Sequence, residues 1–148
     1  MTTWQSATFE QLSTTQLYQI LALREEVFIV EQRCPYQDAD GQDFKALHLM
    51  AYQDQQLLAY ARIFTPEQNQ AKIGRVVTKG SGRGQGLGQQ LMQRAIAHCQ
   101  QHWPKATIMI SAQRYLEKFY QDLGFEICSE PYLEDDIPHI AMRITAID

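Results

Sequence analysis

The 148-residue sequence predicts an α/β (α+β) fold: one domain over residues 1–148, with a mixed, mostly antiparallel central sheet of about seven strands and helices on both faces. Three observations predict it. Strand-length apolar runs outnumber helical patterns, in the order strand, helix, three strands, helix, strand, helix, two strands. Only the middle of the chain has the strand–helix–strand spacing of a parallel crossover. Within that crossover, at the strand-to-helix junction, five glycines alternate with other residues: Gly80, Gly82, Gly84, Gly86 and Gly88.

Trp4 to Phe9 reads as a short opening strand. Thr14 or Thr15 is placed to cap a helix with Leu17, Ile20, Leu21 and then Val27 or Phe28 on its apolar face. The segment turns β-branched from Val27 onward, so the helix is expected to end near Phe28. Arg33 to Asp43 is a polar loop broken by Pro35 and Gly41, expected to be solvated and to line a substrate mouth. Its aspartates, Asp38, Asp40 and Asp43, invite a calcium reading, but Gly41 comes too early for the glycine of an EF-hand loop.

Ala46 to Tyr52 and Leu57 to Phe64 form a predicted hairpin around Gln53–Gln56. Thr65 to Ala71 carries a proline among polar residues and reads as the next turn. Lys72 to Thr78 is a third strand. Leu87, Leu91, Met92, Ala95, Ile96 and Cys99 then recur on one face of a helix running to about Trp103, where Pro104 stops it. His98 and His102 stand one turn apart on it, but no H-E-x-x-H glutamate or third ligand accompanies them, so no metal is expected.

Ala106 to Ser111 has the length of a buried strand. Tyr115, Leu116, Phe119, Tyr120 and Leu123 recur at helical spacing, with Gly124 as the cap. Phe125 to Leu133 and His139 to Thr145 are the last two strands, joined by Glu134 to Pro138.

The composition narrows the function. A net charge of −4 without a Lys/Arg cluster argues against nucleic acid as a partner. The first residues have neither a basic nor an apolar leader segment, and no run approaches membrane-spanning length, so no membrane partner is expected. Three widely spaced cysteines, Cys34, Cys99 and Cys128, suit a reducing, cytoplasmic setting rather than a disulfide framework. Cys99 and Cys128 fall in apolar patterns and read as small core residues.

The glycine stretch carries the chemistry. Glycines at a strand-to-helix junction let a ligand approach the backbone, and the free N–H groups of the first helical turn suit a phosphate. No glycine begins a G-x-G-x-x-G triple, and Gly-Lys followed by Ser or Thr is absent, so the Rossmann and P-loop patterns fail. A flexible structural turn is the plain alternative. Arg83-Gly84-Gln85-Gly86-Leu87-Gly88 instead fits Arg/Gln-x-x-Gly-x-Gly/Ala at every position. That segment resembles the pyrophosphate-binding loop of the GNAT superfamily, the acetyl-CoA-dependent N-acetyltransferases. Phe119-Tyr120-Gln121-Asp122-Leu123-Gly124-Phe125 resembles a second GNAT segment, (F/Y)-Y-x-x-L-G-F. The stretches VFIVEQRCPYQDADGQD and YLEDDIPHIAMRI are similar to the ElaA-like branch.

The resemblance covers nearly the whole chain and implies roles. Backbone amides of Arg83, Gly84, Gln85, Gly86, Leu87 and Gly88 would take the diphosphate of acetyl-CoA. The main chain of Val76, Val77 and Thr78, splayed from the next strand, would hold the pantetheine and polarise the acetyl carbonyl. Tyr120 would face the thioester sulfur as general acid. In two places the chain departs from the family. Gly74, Arg75 and Val76 stand where many relatives carry a glutamate base, and Gln113 stands where many have an asparagine.

Acetyl transfer to an amine needs a neutralised diphosphate, a donor to the oxyanion, a group that takes the amine's proton and one that protonates the thiolate. No cysteine has an adjacent His or Lys, so direct transfer is expected rather than an acyl-enzyme. Glu31, His48, Glu134, Asp136 and His139 are the candidate acceptor-side residues. Each also has a plain structural reading, as a helix-end charge, a hydrogen-bonded strand histidine or a solvated turn. Tyr120 taken alone reads as a core tyrosine. The expected acceptor is an amine on a small molecule, peptide or protein, and a homodimer is open to the chain. The rival function is a non-catalytic CoA- or acyl-CoA-binding regulatory domain.

Overall fold

The computed structural model describes residues 1–146. One eight-stranded sheet organises it: β1 (Thr3–Thr8), β2 (Leu47–Gln53), β3 (Gln56–Glu67), β4 (Gln70–Thr78), β5 (Thr107–Gln113), β6 (Glu126–Ile127), β7 (Tyr132–Glu134) and β8 (Ile137–Ile144). The spatial order is β1-β2-β3-β4-β5-β8-β6, with β7 also on β8, and among the described residues β4–β5 is the one parallel pair. The expected mixed, mostly antiparallel sheet is therefore present. The predicted strand Phe125 to Leu133 is in fact two short strands, β6 and β7, end to end along β8. Between them Ser129 Oγ accepts the Ala141 N–H at 2.9 Å, and Pro131 has no N–H to give a ladder.

Both faces of the sheet are covered. On one, α2 (Leu87–His102) buries the six residues of the predicted apolar stripe, Leu87, Leu91, Met92, Ala95, Ile96 and Cys99, against Ala59, Ala61, Ile63, Ile108, Ile110 and Met142. On the other, α1 (Thr14–Arg24) brings Ile20 and Leu23 onto Met50, Leu57, Tyr60 and Val77. Strand side chains alternate between these two cores, so each strand's register fixes which helix a residue meets.

Several local expectations are corrected. The cap of α1 is Ser13, whose Oγ takes the Gln16 N–H at 3.0 Å while Gln16 Oε1 takes the Ser13 N–H at 2.9 Å. The helix does not end near Phe28. It widens into a π-helical turn, Glu25–Glu31, with Gln32 N bonding Val27 O and Cys34 N bonding Ile29 O. β3 runs on through Pro66 at a register shift, and the turn is only Gln68–Asn69, both left-handed (φ 54° and 60°). The predicted helix Tyr115 to Leu123 shortens to α3 (Glu117–Gln121) after a 3₁₀ turn, and Tyr115 points outward.

The aspartate loop is largely exposed, as expected, but two of its aspartates are not. Asp38 and Asp43 are buried beside Arg24, which has no exposed surface. Arg24 Nε lies 2.6 Å from Asp38 and its Nη1 2.7 Å from Asp43, and Arg62 reaches Asp40 at 2.6 Å and Asp43 at 2.9 Å. Arg75 Nε sits 2.9 Å from Asp38 Oδ1 but out of line for a hydrogen bond, so that contact is Coulombic. Charges buried this deeply persist only when paired, which explains why aspartates and arginines from four elements meet.

Candidate active site

β4 and β5 pair only where Gln70–Lys72 meets Thr107–Met109. Beyond Lys72 each strand follows its other neighbour, β3 or β8, and the two diverge. A bulge in β4 drives the divergence. Tyr60 pairs with Val77 and Arg62 with Gly74, so Arg75 and Val76 together oppose Ala61, and Arg75 takes φ 49°. An extra residue bends and twists its strand, and here it turns the edge of β4 away from β5. The opening is a cleft of about 730 Å³ whose wall includes Val76, Val77 and Thr78. Their backbone groups on the β5 side have no ladder partner from that strand.

The glycine loop forms one end of the cleft. Gly84 (φ 84°) and Gly86 (φ 74°) are left-handed, and a Cβ on either would meet nothing within 4 Å. Gly86 is the N-cap of α2 and offers no side chain to its first turn, so those N–H groups stay free for an anion. Arg83, Gly84, Gly86, Leu87 and Gly88 line the cleft. Gln85 does not; its side chain turns to Gln53, 3.0 Å away. The Arg83 guanidinium donates to Thr78 O and to both carboxylate oxygens of Glu31. Lys79 meets Glu26 at 2.8 Å, so two ion pairs tie the loop to the π-helical turn.

Tyr120 enters from α3. It is buried, with Phe119 and Phe125 edge-on to its ring at 5.1 and 5.9 Å. Burial pushes its phenol up, so it holds its proton at neutral pH. Its hydroxyl bonds no other group among the described residues, and the side chain lines the cleft. A core tyrosine satisfied from within the protein would look different.

The other face of the cleft gathers some of the predicted acceptor residues and not others. Glu31, Glu134 and His139 line it. Glu31 is held below the usual carboxylate range by its hydrogen bond to Arg83, which weakens it as a base. His48 is a correction. It is 1% exposed on β2, two strands from the cleft, with Nδ1 2.6 Å from Tyr60 Oη and Nε2 2.9 Å from Asp43 O. Asp136 is another. It stands at a left-handed turn position (φ 61°) and lines a recess adjoining the cleft, with Arg33 and Pro35. The predicted connection Glu134 to Pro138 is only the two-residue turn Asp135–Asp136, with Glu134 already in β7 and His139 in β8.

Gln113 exchanges amide hydrogen bonds with Gln32 at 3.1 and 3.2 Å across the cleft. Sequence reasoning missed Gln32, Cys34, Tyr36, Arg75 and Ser111 in the cleft wall. Ser111 was within reach, since strand alternation puts it on the face of Gln113. The rest depend on the folding of the aspartate loop. Cys99 is buried and its thiol is pushed up to about 11 by that burial, which leaves it inert at neutral pH. No group of three or more metal-ligating side chains occurs among the described residues, and no helix there is long and apolar enough to cross a membrane.

Comparison with known proteins agrees with this geometry. Residues 9–146 match the family model described as an acetyltransferase (GNAT) domain. The chain is 43% identical over 146 residues to Protein ElaA of Escherichia coli K12, covering 96% of this chain and 95% of that protein. The crystal structure of Escherichia coli ElaA superposes with a TM-score of 0.92 at 42% identity, covering 97% of this chain and 99% of that one. An acyl-CoA N-acyltransferase from Pseudomonas aeruginosa superposes with a TM-score of 0.91 at 45% identity and the same coverage.

Proposed function

The chain belongs to the GNAT acetyltransferase family, in its ElaA-like branch, and from that premise we propose that it moves an acetyl group from acetyl-CoA to an amine by direct transfer. The observation that carries the proposal is the cleft between the diverging β4 and β5, with the uncapped start of α2 at one end and the Tyr120 hydroxyl in its wall. The residues present suit acetyl-CoA. The open Cβ sides of Gly84 and Gly86 leave room for a diphosphate against the amides of Arg83 to Gly88. Val76 to Thr78 offer strand N–H and C=O groups to a pantetheine arm, and one N–H is the donor for the carbonyl oxygen as it gains charge. Gln113 supplies an amide beside that arm.

Tyr120 gives its proton to the departing thiolate, a role suited to a phenol kept neutral by burial. The acceptor enters from the opposite face, where Glu134 and Asp135 make an acidic edge that attracts a cationic amine, while Glu31 stays paired with Arg83. Free thiols at Cys34, Cys99 and Cys128 support a cytoplasmic setting.

Calorimetric titration with CoA, followed by a screen of amines on small molecules and peptides for CoA release from acetyl-CoA, tests the proposal. Saturable binding and amine-dependent release are expected. Binding with no release by any amine would point to the regulatory reading. Absence of binding would reduce the glycine loop to a structural turn.

A further inference from the structure

An amine reaches the enzyme at neutral pH as an ammonium ion and must lose a proton before its lone pair can attack. β4 supplies no carboxylate for this, since Gly74, Arg75 and Val76 occupy the wall there. The opposite wall holds a better arranged group. His139 pairs in register with Gln113, at the end of β5 where the cleft opens. Ile140 and Met142 on the same strand point into the core under α2, so alternation turns His139 to the acceptor face.

The ring is 6% exposed and fixed from three directions. Nδ1 lies 2.7 Å from Ile137 O, and a carbonyl only accepts, so Nδ1 carries a hydrogen. Nε2 is thereby left with its lone pair in the neutral ring, and Glu134 Oε2 stands 3.4 Å from it, an attractive contact once Nε2 is protonated. The Tyr132 ring stacks on the imidazole at 6.2 Å. Ser111 donates to Glu134 Oε1 at 3.2 Å and also meets the Tyr132 hydroxyl, which holds the carboxylate in place.

We propose that His139 is the base that takes the proton from the acceptor's ammonium, with Glu134 as the positioning residue that stabilises the resulting imidazolium. This rests on the amine-acetylation reading above. The N–H bond of R–NH₃⁺ breaks and its proton joins Nε2. The freed lone pair forms the C–N bond, and the C–S bonding pair leaves on sulfur, which takes the Tyr120 proton. The Tyr120 phenolate takes the second proton from nitrogen, and His139 returns its proton to solvent. Atoms and charge balance as R–NH₃⁺ plus acetyl-CoA giving the amide, CoA and H⁺.

The groups around the ring are Glu134 and Tyr132 on β7, Ser111 and Gln113 on β5, and Asp135 with Cys34 at the turn, the Cys34 thiol donating to Asp135 O at 3.1 Å. Glu134 is the carboxylate in contact with Nε2 among the described residues.

The test uses the full chain, acetyl-CoA and two near-isosteric probes: benzylamine, an ammonium ion at neutral pH, and phenylhydrazine, a free base there. His139→Gln should lower kcat/KM for benzylamine by about 10²–10⁴-fold, the usual range for general base catalysis, and for phenylhydrazine far less. Glu134→Gln should move the acid limb of the benzylamine kcat/KM–pH profile to lower pH, because the imidazolium loses its partner. Should His139→Gln fail to fold, Glu134→Gln alone decides, since that carboxylate is half exposed and its loss spares the core. Equal losses on both probes, or an acid limb unmoved by Glu134→Gln, would overturn the base assignment while leaving acetyl transfer standing. Failure of the wild type to acetylate either probe or any amine in the screen would instead remove the reading on which it rests.

Discussion

At the residue scale the geometry separates groups satisfied within the core from groups that face the cleft. Tyr120 and Tyr60 are both buried tyrosines, yet Tyr60 binds His48 while the Tyr120 hydroxyl is left to the cleft. Tyr120→Phe removes only that oxygen. The single-turnover acetylation rate is expected to fall by about 10²–10⁴-fold while CoA affinity by calorimetry is retained. A chemical step as fast as wild type would make Tyr120 a packing residue. The same scale shows why two acidic or basic candidates changed meaning. Glu31 is charge-paired with Arg83, and His48 is desolvated away from the cleft, with burial lowering its pKa, so neither resembles His139, which lines the cleft.

At the element scale, three devices shape the site: the β4 bulge, the glycine loop and the π-helical turn. The bulge needs Arg75 at positive φ, a conformation that its salt bridges to Asp38 and Asp40 help to hold. The π turn brings Val27, Phe28, Glu31 and Gln32 into one wall. Gly86→Glu puts a carboxylate where the diphosphate is proposed to sit, at a left-handed position that costs a β-carbon residue roughly 1–2 kcal/mol. CoA binding should be lost while the circular dichroism spectrum stays that of a folded protein with a lower Tm. Unchanged CoA affinity in the folded variant would place the diphosphate elsewhere. The loop was legible because Gly86-Leu87-Gly88 and the α2 stripe are local patterns. The bulge was not, since Ile73 to Thr78 reads as a plain strand and only pairing with β3 reveals the extra residue.

At the scale of the whole molecule, the ionic cluster joins α1, the aspartate loop, β3 and β4. Arg62 holds the Asp40 carboxyl well below its usual range through their hydrogen bonds. Burial alone would push Asp43 up, but Arg24 and Arg62 together bring it down. A carboxylate whose pKa is depressed by folding adds stability that is complete above its unfolded pKa and lost as pH falls. Tm should therefore be flat near neutrality and drop as pH falls below about 4, the ordinary aspartate value. Arg24→Met removes the one arginine that Asp38 and Asp43 share, leaving Asp43 to Arg62 and Asp38 to Arg75. It should destabilise by about 3–5 kcal/mol at pH 7, read from denaturant midpoints, and less at low pH. A cost independent of pH would mean that packing, not charge, dominates there.

The sequence by itself determined the strand and helix order up to the split of the penultimate strand, the face that α2 buries, the glycine loop and the family, because these rest on local periodicity and contiguous motifs. Only the tertiary structure decided which polar residues meet. It drew Asp38 and Asp43 inward onto Arg24, Arg62 and Arg75, left Asp40 at the surface of that cluster, removed His48 from the cleft, and set His139 against Glu134 and opposite Gln113. Periodicity gives the face on which a side chain lies but not the partner it finds there. Burying a charge is costly enough that distant partners must be brought together, and where they meet is set by the packing of the whole chain.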